Sequence, residues 1–240
     1  MRDVCYCMTR NLYPRIVPSL KSLLTNGNVD RVYILAESDG IGIDLPECVK
    51  VINVSNQNWF RLNGPNAQNV WTYMVMMRIA LCHVFPGKQK ILSLDVDTII
   101  RGDISSLWDI DLDGKYCAAV EEPNRKPGSV YVNCGVVLWN LDEMRSGKAD
   151  EVIRNLNARW YEFSEQDAFN EAHEGKVHLL PAGYNATHWT GMPADAVIRH
   201  YAAEQNWWNK EELEAWKQKP WVIRTETGTG NEAFPPREEQ

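Results

Sequence analysis

The sequence contains no run of 18 apolar residues, so it offers no candidate for a transmembrane helix. The first residues, MRDVCYCM, have no basic segment followed by a long apolar one. We therefore expect no signal peptide and a cytoplasmic location. Basic residues are also in deficit, because 25 Lys and Arg face 32 Asp and Glu, for a net charge of −7. This charge argues against general binding to nucleic acid or to anionic membranes.

Cysteine motifs are missing too. The six cysteines include no Cys-x-x-Cys pair and no matched histidine spacing for zinc. Most of them lie within apolar runs, which favours small buried thiols in a reducing compartment. The side chains of Cys5 and Cys7 point the same way on one predicted strand, so a role for them in a site stays open.

A hydrophobic content of 44% and a charged content of 24% over 240 residues indicate one large globular domain. The chain opens with an apolar strand over residues 3–8, a helix over 14–24 and further strands over 31–36 and 49–54. This β-α-β start predicts a parallel sheet with helical crossovers. Further strands are predicted at 90–94, 116–120, 131–141, 177–180 and 197–201, and further helices at 70–84, 149–160, 165–173 and 211–217.

Two aspartates lie between two short apolar runs, in the segment KILSLDVDTIIRG at residues 90–102. In a strand, Asp95 and Asp97 would point to the same side. One interpretation makes them solvated turn residues, with Asp97 and Thr98 capping a helix. The other makes them ligands of a hard divalent cation at the carboxyl end of a strand, where α/β proteins bind their ligands.

Five other polar residues stand out. Asn133 lies within the apolar run YVNCGVVLWNL, where its amide needs partners. Glu165 and Asp167 suit the positive end of a helix dipole, but Gln166 between them is not explained in that way. His200 ends a strand and is either structural or the nitrogen ligand that completes a metal site.

Tryptophan is abundant, with ten residues, five of them in the last quarter of the chain. Aromatic rings bind sugars well, but they also fill cores, and both roles stay open. Residues 225–240 have little apolar content and are predicted to form a flexible tail.

In their order along the chain these segments resemble glycosyltransferase family 8, the retaining nucleotide-sugar transferases that include glycogenin and bacterial lipopolysaccharide galactosyltransferases. The resemblance runs from about Cys5 to His200. It is carried by Thr9-x-x-x-Tyr13, by Arg78, and by the segments LDVDTII, YVNCGVVLWNL, EQDAFN, LPAGYN and IRHY.

The resemblance implies an α/β fold of the glycosyltransferase-A type, a Rossmann-like sandwich with a mostly parallel central sheet. A single domain would cover residues 1–224, with a nucleotide-binding half at about 1–103 and an acceptor half at about 104–224.

Each matching position would carry a role. Asp95, Asp97 and His200 would hold Mn²⁺, with Mg²⁺ as an alternative, and the metal would bridge the two phosphates of a UDP-sugar. Gln166 and Glu165 would lie near the anomeric carbon as the catalytic pair. The donor-binding residues would be Thr9, Tyr13, Arg78, Asp95, Asn133 and Asp167.

The activity implied is the transfer of a hexose, glucose or galactose, from a UDP-sugar to a sugar, glycan or other hydroxyl acceptor with retention of configuration. A non-catalytic nucleotide-sugar-binding protein and a UDP-sugar hydrolase are the alternatives.

Three positions depart from the family pattern. Glu165 replaces the usual Asp, Ala203 replaces a Gly after the metal-binding histidine, and Lys219 comes 19 residues after His200, later than the phosphate-binding lysine of the family.

Overall fold

The computed structural model describes residues 1–68, 71–123, 125 and 128–222. The predicted tail at 225–240 lies outside this range. No helix in the described part of the chain is both long and apolar enough to span a membrane. All six cysteines are free thiols, and four of them are buried.

Within the described residues, nine strands form two sheets. They are β1 (Asp3–Cys7), β2 (Arg31–Ala36), β3 (Val49–Asn53), β4 (Lys90–Leu94), β5 (Thr98–Ile100), β6 (Cys117–Glu121), β7 (Val132–Asn140), β8 (Val177–Leu179) and β9 (Ile198–His200). The central sheet has the order β3-β2-β1-β4-β7-β6-β8, and β5 pairs with β9 in a small second sheet. Strands β3, β2, β1 and β4 are parallel, whereas β7 runs antiparallel to both β4 and β6. The mixed, mostly parallel α/β sheet confirms the predicted fold class.

Helices cover both faces of the central sheet. They are α1 (Val17–Asn26), α2 (Thr72–Met76), α3 (Leu81–Val84), α4 (Leu141–Glu143), α5 (Ala149–Ala158), α6 (Ser164–Ala172) and α7 (Glu211–Gln218). Strand β7 is buried at every position except Asn140, because its residues alternate between two apolar clusters. One cluster lies beneath α1 and α7 and the other beneath α2, α5 and α6. Such burial on both faces explains the continuous apolar run in the sequence.

Two predicted elements differ from the structure near the site. The helix expected over 70–84 is split into α2 and α3, and its first residue lies outside the described range. Arg78 donates from Nε to the carbonyl of Val75 at 3.1 Å. The N–H of Ile79, which would use that carbonyl in an α-helix, donates instead to Met76. The side chain of Arg78 therefore competes with the helical ladder.

The second difference concerns the two aspartates. The sequence places Asp95 and Asp97 on one strand, but β4 ends at Leu94 and the next strand begins at Thr98. Asp95, Val96 and Asp97 form the turn between them. The aspartates therefore converge through a turn, and the strand-alternation argument for their convergence was wrong.

Candidate active site

The candidate site lies where several strands end at one edge of the central sheet. Thr9 follows the carboxyl end of β1, Asp95 follows β4 and Glu122 follows β6. Asn133 lies at the start of β7, which runs in the opposite direction and so begins at the same edge. A cleft of about 430 Å³ opens there, and these four side chains line it. Ligands of open α/β sheets bind at this edge.

Two carboxylates and one imidazole meet at the floor of the cleft. Ligand atoms of Asp95, Asp97 and His200 lie within 4.8 Å of one another. Nε2 of His200 is 3.2 Å from Oδ1 of Asp97 and 3.6 Å from Oδ2 of Asp95. Backbone pairing places His200 here, because Thr98 and His200 are partners in the β5–β9 sheet and the N–H of Tyr201 donates to the carbonyl of Asp97 at 2.9 Å.

These charges act on His200. Burial lowers its pKa, but the carboxylates of Asp97 and Asp95 and a hydrogen bond to Asp97 outweigh burial and raise the pKa above the ordinary value of 6.5. The imidazole therefore attracts a proton when nothing else positive lies between it and the carboxylates. A divalent cation in that position would take the place of the proton.

The cluster fits a divalent metal ion. Two carboxylate oxygens and one imidazole nitrogen are a donor set that suits Mn²⁺ and related cations. The backbone leaves room for this set, because a Cβ atom on Gly135 would lie 2.2 Å from Cε1 of His200 and 2.8 Å from Oδ2 of Asp95. Only glycine at position 135 allows the strand to pass so close to both side chains.

Arg78 lies behind the cluster with a buried side chain. Its NH2 group is 2.5 Å from Oδ1 of Asp95, and its Nε is 3.3 Å from Oε1 of Glu165. It also donates to the carbonyl of Cys134. Burial lowers the pKa of the guanidinium, but the carboxylates of Asp95 and Glu165 raise it by more than burial lowers it. The net pKa is raised, so Arg78 stays charged. It supplies positive charge between two acidic groups of the cleft.

Glu165 lies on the first turn of α6 and is 4% exposed. Burial raises the pKa of this carboxyl to about 7, with Arg78 opposing the shift and Asp95 adding to it. The carboxyl group therefore holds its proton to a higher pH than a solvent-exposed glutamate does. Glu165 lines the cleft beside Gln166, the residue with which it forms the predicted catalytic pair.

The amide of Gln166 is held by four hydrogen bonds. Its Oε1 accepts from the backbone N–H of Cys134 at 2.9 Å and from Nδ2 of Asn133 at 3.1 Å. Its Nε2 donates to Oε2 of Glu122 at 3.2 Å and to the hydroxyl of Tyr131 at 3.1 Å. An amide with every partner in place is rigid, so its dipole points in a fixed direction within the cleft.

The remaining predicted donor-binding residues lie at different depths. Thr9 lines the cleft and donates from its hydroxyl to Asn11. Tyr13 is buried, and its hydroxyl accepts from the N–H of Glu37 at 2.8 Å. Asp167 accepts from the hydroxyl of Tyr131 at 2.6 Å. Among the described residues, those that line the cleft include neither Tyr13 nor Asp167.

The three departures from the family pattern have distinct surroundings. Glu165 reaches Arg78, as described above. Ala203 lines the cleft with a φ of 56°, in the left-handed region that glycine prefers. Lys219 is exposed, and its Nζ lies 3.5 Å from the ring centroid of Trp216. Trp189 and Trp207 line the cleft, and Trp207 and Trp216 are buried in the core.

Two residues of this hydrogen-bond network, Glu122 and Asn185, were given no role from the sequence alone. Glu122 accepts from both Asn133 and Gln166 at 3.2 Å. Its position directly after a strand was the available signal, because β6 runs parallel to β4 and ends at the same edge. Asn185 is buried and lies 2.8 Å from Nδ1 of His200. It is the last residue of the segment LPAGYN, which carries part of the family resemblance, but no role was predicted for it.

Solved structures share this fold. The galactosyltransferase LgtC, in a complex with donor and acceptor sugar analogs, aligns with a TM-score of 0.68 over 90% of this chain and 94% of that chain, at 17% sequence identity. The glycosyltransferase GlyE of Streptococcus pneumoniae TIGR4 aligns with a TM-score of 0.68 over 92% of this chain and 61% of that one, at 20% identity. At these identities the likeness shows the fold, which is the glycosyltransferase-A type.

The family follows from the sequence. The profile described as Glycosyl transferase family 8 matches residues 5–212, and the chain belongs to that family. Its relatives include the lipopolysaccharide 1,2-glucosyltransferase of Escherichia coli K12, which is 25% identical over an alignment of 212 positions that covers 76% of this chain and 61% of the relative. GlyB of Streptococcus pneumoniae is 28% identical over 54% of this chain and 31% of its own length. The chain thus spans between about a third and three fifths of these two curated relatives.

Proposed function

We propose that the protein is a retaining glycosyltransferase that moves a hexose from a UDP-sugar to a hydroxyl acceptor and depends on Mn²⁺. The observation that carries this proposal is the convergence of Asp95, Asp97 and His200 beside Gln166 in one cleft. A hexose donor is supported by two relatives, which are named as a glucosyltransferase and a galactosyltransferase. Glucose and galactose are therefore the first donors to test.

Asp95, Asp97 and His200 would hold the metal, with Mg²⁺ as the alternative to Mn²⁺. Bound there, the metal would neutralise the diphosphate and stabilise the negative charge of the departing UDP. The residues around it would bind and orient the donor. We assign Thr9 and Tyr13 to the uridine side. Because Tyr13 is buried, it would act by holding the segment at Glu37 against the segment that follows β1.

On the sugar side we assign Arg78, Asn133 and Asp167 to the donor. Arg78 would act through electrostatic attraction, since its hydrogen bonds already go to Asp95 and to the backbone. Asp167 would act through Tyr131, because the hydroxyl of Tyr131 donates a hydrogen bond to the carboxylate of Asp167. Under this assignment, residues 1–103 supply most of the nucleotide-binding half and residues 104–224 most of the acceptor half of one domain.

Retention is best explained by attack of the acceptor on the same face as the leaving group. Gln166 has a neutral amide oxygen and is a poor nucleophile. Its four hydrogen bonds fix its dipole, which can stabilise the positive charge that develops on the sugar without reorganising. Covalent attack by Glu165 is the alternative. The carboxyl would have to be ionised, and its pKa of about 7 permits that at neutral pH and above.

The test is release of UDP from a panel of UDP-sugars, measured with Mn²⁺ present and after chelation, with and without a panel of glycan acceptors. We expect metal-dependent transfer from one donor, with the product in the same anomeric configuration by NMR. The variant Asp97→Asn should lose turnover, whereas Asp113→Asn, at an exposed turn residue that does not line the cleft, should keep it.

Three results would contradict parts of the proposal. Release of UDP at the same rate with every acceptor and with none would identify a hydrolase. Binding of UDP-sugars and Mn²⁺ without turnover of any donor would identify a nucleotide-sugar-binding protein. Full activity of Asp97→Asn would remove the metal assignment.

A further inference from the structure

The ring of His200 is anchored from behind by a chain of buried amides. Nδ1 of His200 lies 2.8 Å from Oδ1 of Asn185, and Nδ2 of Asn185 lies 2.9 Å from Oδ1 of Asn133. His200 and Asn185 are each 1% exposed and Asn133 is 9% exposed, so all three side chains are buried. The chain continues through Nδ2 of Asn133 to Gln166.

Two backbone N–H groups determine the direction of every bond in this chain. The N–H of Gly135 can only donate, and it lies 3.0 Å from the side chain of Asn133, so the facing atom of Asn133 is its oxygen. The N–H of Cys134 likewise requires the oxygen of Gln166 at 2.9 Å. Asn133 then presents its NH₂ group to that oxygen, and both backbone donors assign the same orientation to Asn133.

The orientation of Asn185 follows. The oxygen of Asn133 already faces Asn185, so Asn185 presents its NH₂ group there and its oxygen to His200. An amide oxygen only accepts hydrogen bonds, so Nδ1 of His200 carries a proton. In the neutral imidazole, Nε2 then has a free lone pair, and Nε2 is the atom that faces Asp97 and Asp95.

We propose that Asn185 is a positioning residue that fixes the Nδ1-protonated tautomer of His200 and thereby presents Nε2 as a metal ligand. The inference rests on the proposed function in that it takes the cluster as a metal site. Its consequence is that metal affinity depends on an amide that touches neither the metal nor the substrate. Hydrogen-bond partners that orient a ligating histidine contribute about 10- to 100-fold to metal affinity in other sites.

The same chain connects His200 to Gln166 through Asn185 and Asn133. An Asn185 variant that removes the amide would therefore disturb two places, the tautomer of His200 and the orientation of Asn133. Asn185→Asp separates them, because a carboxylate still accepts from Nδ1 of His200 but has no N–H to donate to Asn133. Asn185→Leu, of similar size, removes both bonds.

The experiment uses the full chain with labelled histidine. ¹⁵N NMR of the metal-free protein, at a pH high enough for His200 to be neutral, reports which ring nitrogen carries the proton, and His200→Gln assigns the signal among the five histidines. Mn²⁺ affinity is measured in parallel by the electron paramagnetic resonance of free Mn²⁺, with and without UDP. Asn66→Leu is the matched control, because Asn66 is 1% exposed, makes three hydrogen bonds and does not line the cleft.

We expect the wild type to be protonated at Nδ1 and to bind Mn²⁺. Asn185→Leu should lose the single tautomer and bind Mn²⁺ about 10- to 100-fold more weakly. Asn185→Asp should keep both properties, and Asn66→Leu should be less stable with unchanged Mn²⁺ affinity.

Protonation of the wild type at Nε2, or an unchanged tautomer and affinity in Asn185→Leu, would overturn the inference. Failure of the wild type itself to bind Mn²⁺, with Nδ1 still protonated, would instead overturn the metal site of the proposed function, and with it the ligand role given to Nε2. The tautomer measurement needs no metal, so the two failures are distinguishable.

Discussion

Arg78 and Asp95 form an ion pair with 2.5 Å between NH2 and Oδ1, and the side chain of Arg78 is 3% exposed. Only the other oxygen of Asp95 faces His200, at 3.6 Å from its Nε2. One carboxylate thus joins the buried guanidinium to the candidate metal site. Any change at Arg78 should therefore be detected both in the stability of the fold and in the properties of the cluster.

Replacement of Arg78 by Met is expected to lower the free energy of unfolding by about 3 kcal/mol, because it leaves Glu165 buried without its cation. Urea denaturation in metal-free buffer measures this. Arg2→Met is the control, since the Arg2–Asp30 pair is about one third exposed on each side and should contribute less than about 1 kcal/mol. Equal losses in the two variants would contradict the structural role of Arg78.

Gly135→Ala is expected to disturb the metal cluster. The added Cβ would lie 2.2 Å from Cε1 of His200, so the imidazole has to move. We expect a loss of stability of about 1–3 kcal/mol and Mn²⁺ binding at least about 10-fold weaker. Denaturation and a Mn²⁺ titration measure the two effects. Gly87→Ala is the control, because no atom lies within 4 Å of its added Cβ. Wild-type affinity in Gly135→Ala would show that the backbone and His200 tolerate the methyl group.

The sheet was predictable from the sequence because its strands are buried on both faces. Arg31–Ala36 has the bounds that its apolar run predicts, and the run at 131–141 differs from β7 by one residue at each end. The helix expected over 70–84 failed for a tertiary reason. Its apolar pattern is helical, but the buried charge of Arg78 takes the carbonyl that the helix would need. No local rule reports such a competition.

The candidate site was predictable to the extent that its residues follow strand ends. Asp95 and Asp97 were recognised by two charges within an apolar run, although a turn rather than a strand brings them together. Asn185 ends the segment LPAGYN, but its role was not predicted, because that role arises from a bond to His200, 15 residues along the chain, and from a backbone N–H at Gly135. The role of such a buried polar residue is set by its neighbours in the folded structure, which the local sequence does not reveal.

Glu165 should make the stability of the metal-free protein depend on pH. Its pKa rises from the ordinary value of 4.5 to about 7 on burial, so the folded state binds this proton more tightly than the unfolded state. The stabilisation is present in full below pH 4.5 and is lost as the pH rises to about 7. The loss amounts to roughly 3 kcal/mol.

The comparison is between the wild type and Glu165→Gln, by denaturation at pH 5 and pH 8 in the presence of a chelator. The variant cannot ionise at this position, so its stability should change less between the two pH values. Glu162→Gln, at a carboxyl that is 70% exposed, should behave as the wild type does. Equal pH dependence in the wild type and Glu165→Gln would show that Glu165 ionises normally.

Ala203 adopts a φ of 56° at a position where the family usually has glycine. A non-glycine residue pays roughly 1 kcal/mol for this left-handed conformation, and glycine does not. Ala203→Gly is therefore expected to leave stability unchanged or to raise it by up to about 1 kcal/mol.

The control is the neighbouring residue Ala202, which also lines the cleft and is not among the residues with positive φ. There, Ala202→Gly should cost about 0.5–1 kcal/mol, because glycine loses more backbone freedom on folding. Thermal denaturation of the two variants decides the matter, since equal destabilisation by both would mean that the backbone at 203 is not strained.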